Sequence, residues 1–240
     1  MTETPLYPQA TTREEFAANL ADVRGRIADA AARAGRSASD IRLLSVSKTV
    51  PEELLQLAIE AGCTDLGENR VQEAERTAAA LEGARWTIIG HLQTNKAKNV
   101  VAFADEFQAL DSLKLADALD TRLQAAGRSL DVFVQVNTSG EEQKSGVAPA
   151  DALSLLTELQ HRHSLRVQGL MTVALFSAET EQVRECFRVL RSLRDEARER
   201  DLVGPGELSM GMSGDLETAI EEGSTVVRVG QAIFGSRAAR

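Results

Sequence analysis

Aromatic residues are scarce in this chain, 4% of 240, with Trp86 the one tryptophan and Tyr7 the one tyrosine. Chemistry that needs a phenol therefore has a single candidate. The two cysteines, Cys63 and Cys186, give neither a disulfide framework nor a zinc spacing. With only His91, His161 and His163 beside them, the sequence argues against a metal site. Positive charge is also short, 27 Lys and Arg against 36 Asp and Glu. The net charge of -9 speaks against nucleic acid or an anionic membrane as the main partner. No run approaches the ~18 uninterrupted apolar residues of a membrane span. The opening MTETPLYPQATTREEF lacks the basic and apolar regions of a secretory signal. A soluble, reduced, cytoplasmic protein is expected. Neither a P-loop nor a G-x-G-x-x-G after the first apolar run occurs.

What the chain does have is alternation. Phe16, Leu20, Val23 and Ile27 form one apolar stripe at helical spacing, with Thr11 and Thr12 as caps and Gly35 as a stop. The run IRLLSVS (41–47) then predicts a strand, followed by a helix begun at Pro51. Further strands are expected near 64–67, 86–90, 107–110, 131–137, 167–171, 207–210 and 225–230, separated by amphipathic helices. The longest of these runs from Glu179 to about Arg200, with Val183, Phe187, Leu190 and Leu193 inward. Strands that alternate with helices call for a parallel sheet with right-handed crossovers. Eight such units predict an α/β chain forming a single (β/α)8 TIM-type barrel with an extra N-terminal helix. An open doubly wound sheet is the alternative. Residues 1–10 are expected to be a flexible tail and 11–240 one domain.

In a barrel, chemistry belongs where strands end. Lys48 is expected to end the first strand on the face of Leu44 and Val46, where desolvation favours a neutral, nucleophilic amine. A lysine whose ammonium simply reaches solvent is the other reading. Late in the chain, LSMGMSGD (208–215) and VRVGQAIFG (227–235) each lead from a strand into a helix. Ser209, Gly211, Ser213 and Gly214 can bring N–H and hydroxyl donors close to an anion, unless this is an ordinary turn. Arg228, on an otherwise apolar strand before Gly230, is expected inside the barrel, as a ligand group or in a buried ion pair. The polar clusters GENRVQEA (67–74), GHLQTNK (90–96) and NTSGEEQKSG (137–146) also fall at strand ends, and Asn69 and Asn137 are candidates to contact a ligand or to cap turns. His91 either lines the mouth or packs.

Together LLSVSK (43–48), GENRVQE (67–73), IGHLQTNK (89–96), VNTSGEEQKSG (136–146), GLMT (169–172), LSMGMSGD and VRVGQAIFG resemble the pyridoxal phosphate homeostasis protein family. The resemblance runs from about residue 12 to the C-terminus. It implies the barrel of the alanine racemase N-terminal domain, carrying pyridoxal 5′-phosphate (PLP) as an internal aldimine on Lys48. It also implies a cofactor site formed by Lys48, Asn69, Met171, Ser209, Gly211, Met212, Ser213, Arg228 and Gly230. Arg228 could face the pyridine nitrogen or the phosphate. Many members carry an aromatic residue after the G-E-N triplet, where this chain has Arg70.

Three functions follow. The one the resemblance implies is a PLP-binding homeostasis protein, a monomer that buffers the cofactor, serves PLP-dependent apo-enzymes and steadies B6 vitamer and amino-acid pools without substantial turnover. The second is a PLP-dependent racemase or decarboxylase. The third is a Schiff-base aldolase without PLP. Two-sided racemization needs an acid/base group opposite the lysine. Tyr7 lies far in sequence from every strand-end loop, and His91 has no evident partner to fix its tautomer.

Overall fold

The computed structural model describes residues 7–236. Eight strands, Arg42–Val46 (β1), Asp65–Glu68 (β2), Arg85–Ile88 (β3), Glu106–Leu110 (β4), Leu130–Gln135 (β5), Leu165–Met171 (β6), Glu207–Ser209 (β7) and Val226–Val229 (β8), pair in parallel and in order, and β8 closes on β1. Helices Arg13–Arg33 (α1), Glu52–Glu60 (α2), Val71–Ala80 (α3), Ala97–Phe103 (α4), Leu113–Ala125 (α5), Ala152–Leu159 (α6), Thr180–Glu199 (α7), Leu216–Glu221 (α8) and Gln231–Phe234 (α9) surround it. The closed barrel is the expected fold, and the open sheet is excluded.

The extra helix forms for the reasons its sequence suggests. Thr12 Oγ1 accepts from the Glu15 N–H at 3.2 Å, while the Glu15 carboxylate accepts from the Thr12 N–H at 3.1 Å. This reciprocal cap satisfies N–H groups that the first turn leaves open. Phe16, Leu20, Val23 and Ile27 are buried as one stripe against α2, α8 and α9. The Phe16 and Phe234 rings meet edge to face, 5.8 Å apart. Thus α1 docks beside the strands that close the barrel.

Charges fill the barrel at the N-terminal ends of the strands. Glu106, 2% exposed, accepts from Arg42 and Arg85, each at 2.9 Å. Arg42 also reaches Asp65 at 2.9 Å, and Asp131 accepts from Arg166 at 2.7 Å. Burial works against the charge on Arg42, yet Glu106 and Asp65 outweigh it and raise its pKa. This end is closed by ion pairs, leaving the other as the open mouth.

Two expectations need correction. Strand β1 ends at Val46, so Lys48 lies in the turn beyond it rather than closing the strand. Ser47 N–H still donates to the Gly67 carbonyl at 3.1 Å, but Thr49 then adopts φ 69°, which turns the chain away from the sheet. Of the tail expected over residues 1–10, residues 1–6 lie outside the described part. Residues 7–10 pack against the other end of the chain: Ser236 N–H donates to the Tyr7 carbonyl at 2.8 Å and Ala10 is 2% exposed. Among the described residues no helix is long and apolar enough to cross a membrane.

Candidate functional site

Because β1 and β8 are neighbours, the first and last motifs of the chain share one rim. Lys48 is half-buried and lines a cleft of about 760 Å³ with Val46, Arg70, Gly230, Gln231 and the Gln9–Ala10 segment. Gly230 makes this wall tight: a Cβ there would stand 3.1 Å from the Val46 carbonyl oxygen, closer than ordinary contact.

The loop after β7 is fixed residue by residue. Gly211 takes φ 95°, and a Cβ on it would come within 2.6 Å of Ala219 Cβ. Its carbonyl accepts from the Arg228 N–H at 2.9 Å. The Met212 N–H donates to Asp215 Oδ1 at 2.5 Å, and the Met212 side chain is exposed on the rim. Burial raises the pKa of that Asp215 carboxyl. Ser213 Oγ accepts from the Ala232 N–H at 3.3 Å, and its carbonyl accepts from Arg26 Nη2 at 2.8 Å. Among the described residues, the N–H groups of Ser213, Gly214 and Gly230 donate to no acceptor. Uncommitted donors beside close-approach glycines are what an anion requires. The following helices, α8 and α9, have six and four residues, so individual N–H groups rather than long helix dipoles supply the field.

Below the rim, Arg228 is 4% exposed. Its Nη1 donates to Ser209 Oγ at 2.7 Å and its Nη2 to the Thr172 carbonyl at 2.6 Å. Among the described residues it forms no ion pair, so the buried ion pair weighed from sequence is not what holds it. Burial pushes its pKa down to about 10, and Asp215 partly offsets this. Ser209 is fully buried and hands its proton to Gln108 Oε1 at 2.7 Å, which places it in the interior rather than on the rim. Met171, 1% exposed, ends β6 beside Ser209 in register. Asn69 is exposed after β2, and its backbone packs against Gly90. Asn137 is committed to its own loop, donating to the Glu141 carbonyl at 2.9 Å. The structure therefore brings Lys48, Gly230, Ser213 and Arg228 to one side and leaves Asn137 as a turn cap.

Two results bear on proton transfer. His91 does have a partner: its Nδ1 lies 3.1 Å from Asp111 Oδ2, although the imidazole side chain is 57% exposed. Tyr7 is closer to the mouth than its sequence position implied, since its backbone carbonyl accepts from the Ser236 N–H at 2.8 Å, just past the helix that follows Gly230.

Sequence reasoning missed Glu68, Gln108 and Arg26. Glu68 is 6% exposed beneath the turn of Lys48 and accepts from Ser47 Oγ at 2.5 Å. Burial pushes its pKa up to about 7, and the Ser47 hydrogen bond and the Lys48 charge only partly offset this. An amide in the apolar strand FQAL could have flagged Gln108 as Arg228 was flagged, whereas nothing marks Arg26 among the charges of α1.

The chain's relatives share this barrel. The family model for the alanine racemase N-terminal domain matches residues 18–238. A pyridoxal phosphate homeostasis protein of Aquifex aeolicus is 41% identical over 220 residues, 91% of this chain and 96% of that one. PipY of Synechococcus elongatus, solved with PLP bound, is 32% identical with a TM-score of 0.80, covering 92% of this chain and all of that one. The alanine racemase of Streptomyces lavendulae, 21% identical, has the same fold with a TM-score of 0.75; the match covers all of this chain and 61% of the racemase. With the barrel, the motif order and these extents in agreement, the chain belongs to the alanine racemase N-terminal-domain family and, within it, to the pyridoxal phosphate homeostasis proteins.

Proposed function

We propose that this chain holds PLP at the mouth of its barrel and keeps it available to PLP-dependent apo-enzymes in the cytoplasm, as a monomer and without useful turnover of amino acids. The observation that carries the reading is that Lys48 and Gly230 line one cleft, while the Ser213–Gly214 turn, with its uncommitted N–H groups, is bonded just beyond Gly230 through Ser213 Oγ and the Ala232 N–H. Lys48 supplies the amine for covalent attachment. Ser213, Gly214 and Gly230 hold the phosphate, at the glycine positions where backbone can approach it closely. Arg228 lies two residues deeper than Gly230 on β8, a depth that suits the ring better than the phosphate. When bound, PLP supplies an aldehyde and an electron-withdrawing ring; an arginine at the ring nitrogen keeps that nitrogen unprotonated and weakens the electron sink. Deprotonation on one face and reprotonation on the other also need a second positioned group. His91, over half exposed, is poorly shielded for that task. The PLP-bound relative and the name shared by the Aquifex protein support this reading.

The test is PLP retention after gel filtration, read by visible absorption. Wild type should keep the band, Lys48→Ala should lose it while remaining folded, and Arg228→Gln should retain less. A wild-type protein that keeps no PLP would overturn the reading.

A further inference from the structure

The barrel interior contains a buried hydrogen-bond chain that runs from the mouth to the ion-pair floor. Arg228 Nη1 donates to Ser209 Oγ at 2.7 Å, Ser209 Oγ donates to Gln108 Oε1 at 2.7 Å, and Gln108 Nε2 donates to Glu106 Oε1 at 2.6 Å. Gln108 and Ser209 are fully buried, Glu106 is 2% exposed and Arg228 4%.

The polarity of this chain is settled by its end. A carboxylate already bound by two arginines only accepts, so Gln108 must turn its NH2 to Glu106. Its carbonyl then faces Ser209. The single hydroxyl proton of Ser209 goes to that carbonyl, which leaves a Ser209 lone pair for Arg228. Every bond points towards Glu106, and aligned bonds strengthen one another. Arg228, buried without an ion pair among the described residues, has the Asp215 charge acting on it and, through two neutral side chains, a hydrogen-bond path to Glu106.

We infer that Gln108 is a positioning residue for the cofactor site: it fixes Ser209 and hence the Arg228 guanidinium by transmitting the charge of Glu106 through the barrel. This rests on the proposed PLP site in one respect, that Arg228 faces the cofactor.

Two substitutions separate relay from bulk. Gln108→Leu keeps the size but cuts the chain, and should weaken PLP retention about tenfold at every pH, the order set by leaving buried groups unsatisfied. Gln108→Glu places a second carboxyl against Glu106, and like charges at that distance cannot both ionise. Around Glu106 stand Arg42 from β1, Asp65 from β2, Arg85 and Thr87 from β3, Asp131 from β5 and Glu207 from β7. When the new carboxyl holds a proton it can donate to Glu106 and accept from Ser209, so the chain is restored; when it loses the proton the chain breaks. Gln108→Glu should therefore retain PLP nearly as wild type at low pH and lose it as pH rises, on top of any drift wild type shows.

A third measurement needs no cofactor. In apo wild type, the Arg228 guanidinium protons, assigned by their loss in Arg228→Lys, should be resolved by NMR and protected from solvent. Equal losses in both Gln108 variants at all pH, unchanged retention in Gln108→Leu, or freely exchanging Arg228 protons would each overturn the inference. If wild type binds no PLP, the site reading fails instead, and the NMR measurement still decides the relay.

Discussion

Arg26 in α1 donates from Nη2 to the backbone carbonyl of Ser213 at 2.8 Å, while its Nε is paired with Glu217 at 2.7 Å. A helix outside the barrel repeat thus sets the orientation of one peptide in the loop after β7. The Ser213–Gly214 peptide is trans, so with its carbonyl held towards Arg26 the Gly214 N–H points the opposite way.

Replacing Arg26 by Met should therefore weaken phosphate binding selectively. The expected loss is about 1–2 kcal/mol in PLP affinity, the worth of one charge-assisted hydrogen bond. Pyridoxal, which lacks the phosphate, should bind the variant and wild type alike. Fluorescence titration with both compounds checks this, and equal losses for the two would remove Arg26 from phosphate positioning.

Glu68 predicts a pH dependence of stability. Its native pKa, near 7, lies above the ordinary carboxyl value of 4.5. Between those values the folded state holds a proton that the unfolded state has released, so this group's contribution falls as pH rises from about 4.5 to 7. The contribution lost is on the order of 3 kcal/mol. Glu68→Gln should flatten that part of the profile and gain stability above pH 7, as read by urea unfolding of apo protein across pH. An unchanged slope would show that Glu68 is solvated.

The floor of the barrel makes a third prediction. Glu106 accepts from Arg42, Arg85 and Gln108, so Glu106→Ala strips the amide of its acceptor and leaves Arg42 with Asp65 and Arg85 with Asp131 alone. Removing one partner of a buried ion pair costs about 3–5 kcal/mol. The urea midpoint should fall accordingly, and a loss below about 1 kcal/mol, the scale of an exposed pair, would mean that water reaches this end.

How much of this was readable beforehand divides along physical lines. Strand and helix order follow from hydrophobic period, which reports burial directly, so IRLLSVS and the α1 stripe are legible from sequence alone. Lys48 and Arg228 stand out because a charge amid apolar strand residues requires an explanation. The end of β1 at Val46 does not stand out, because it depends on the left-handed turn at Thr49, a conformation a β-branched residue rarely takes. Nor does the Arg26–Ser213 bond, which joins residues 187 positions apart and exists only once α1 has docked. Gln108 is legible as an oddity in its strand, but its role needs the barrel to close and bring Ser209 to it.

The proposed role predicts a cellular and an enzymatic result. Deletion of the gene should disturb B6 vitamer and amino-acid pools broadly rather than block one pathway, as measured by metabolite profiling. Purified protein loaded with PLP should racemize or decarboxylate amino acids well below ~1 per second. Turnover at or above that rate, lost in Lys48→Ala, would favour an enzyme.

The most direct measurement is borohydride reduction of the PLP-loaded protein followed by peptide mapping with mass spectrometry. The reduced protein should carry one phosphopyridoxyl group, on the peptide containing Lys48, and Lys48→Ala should carry none. Modification mapped to Lys96 or Lys144 instead, or retained in Lys48→Ala, would contradict attachment at Lys48.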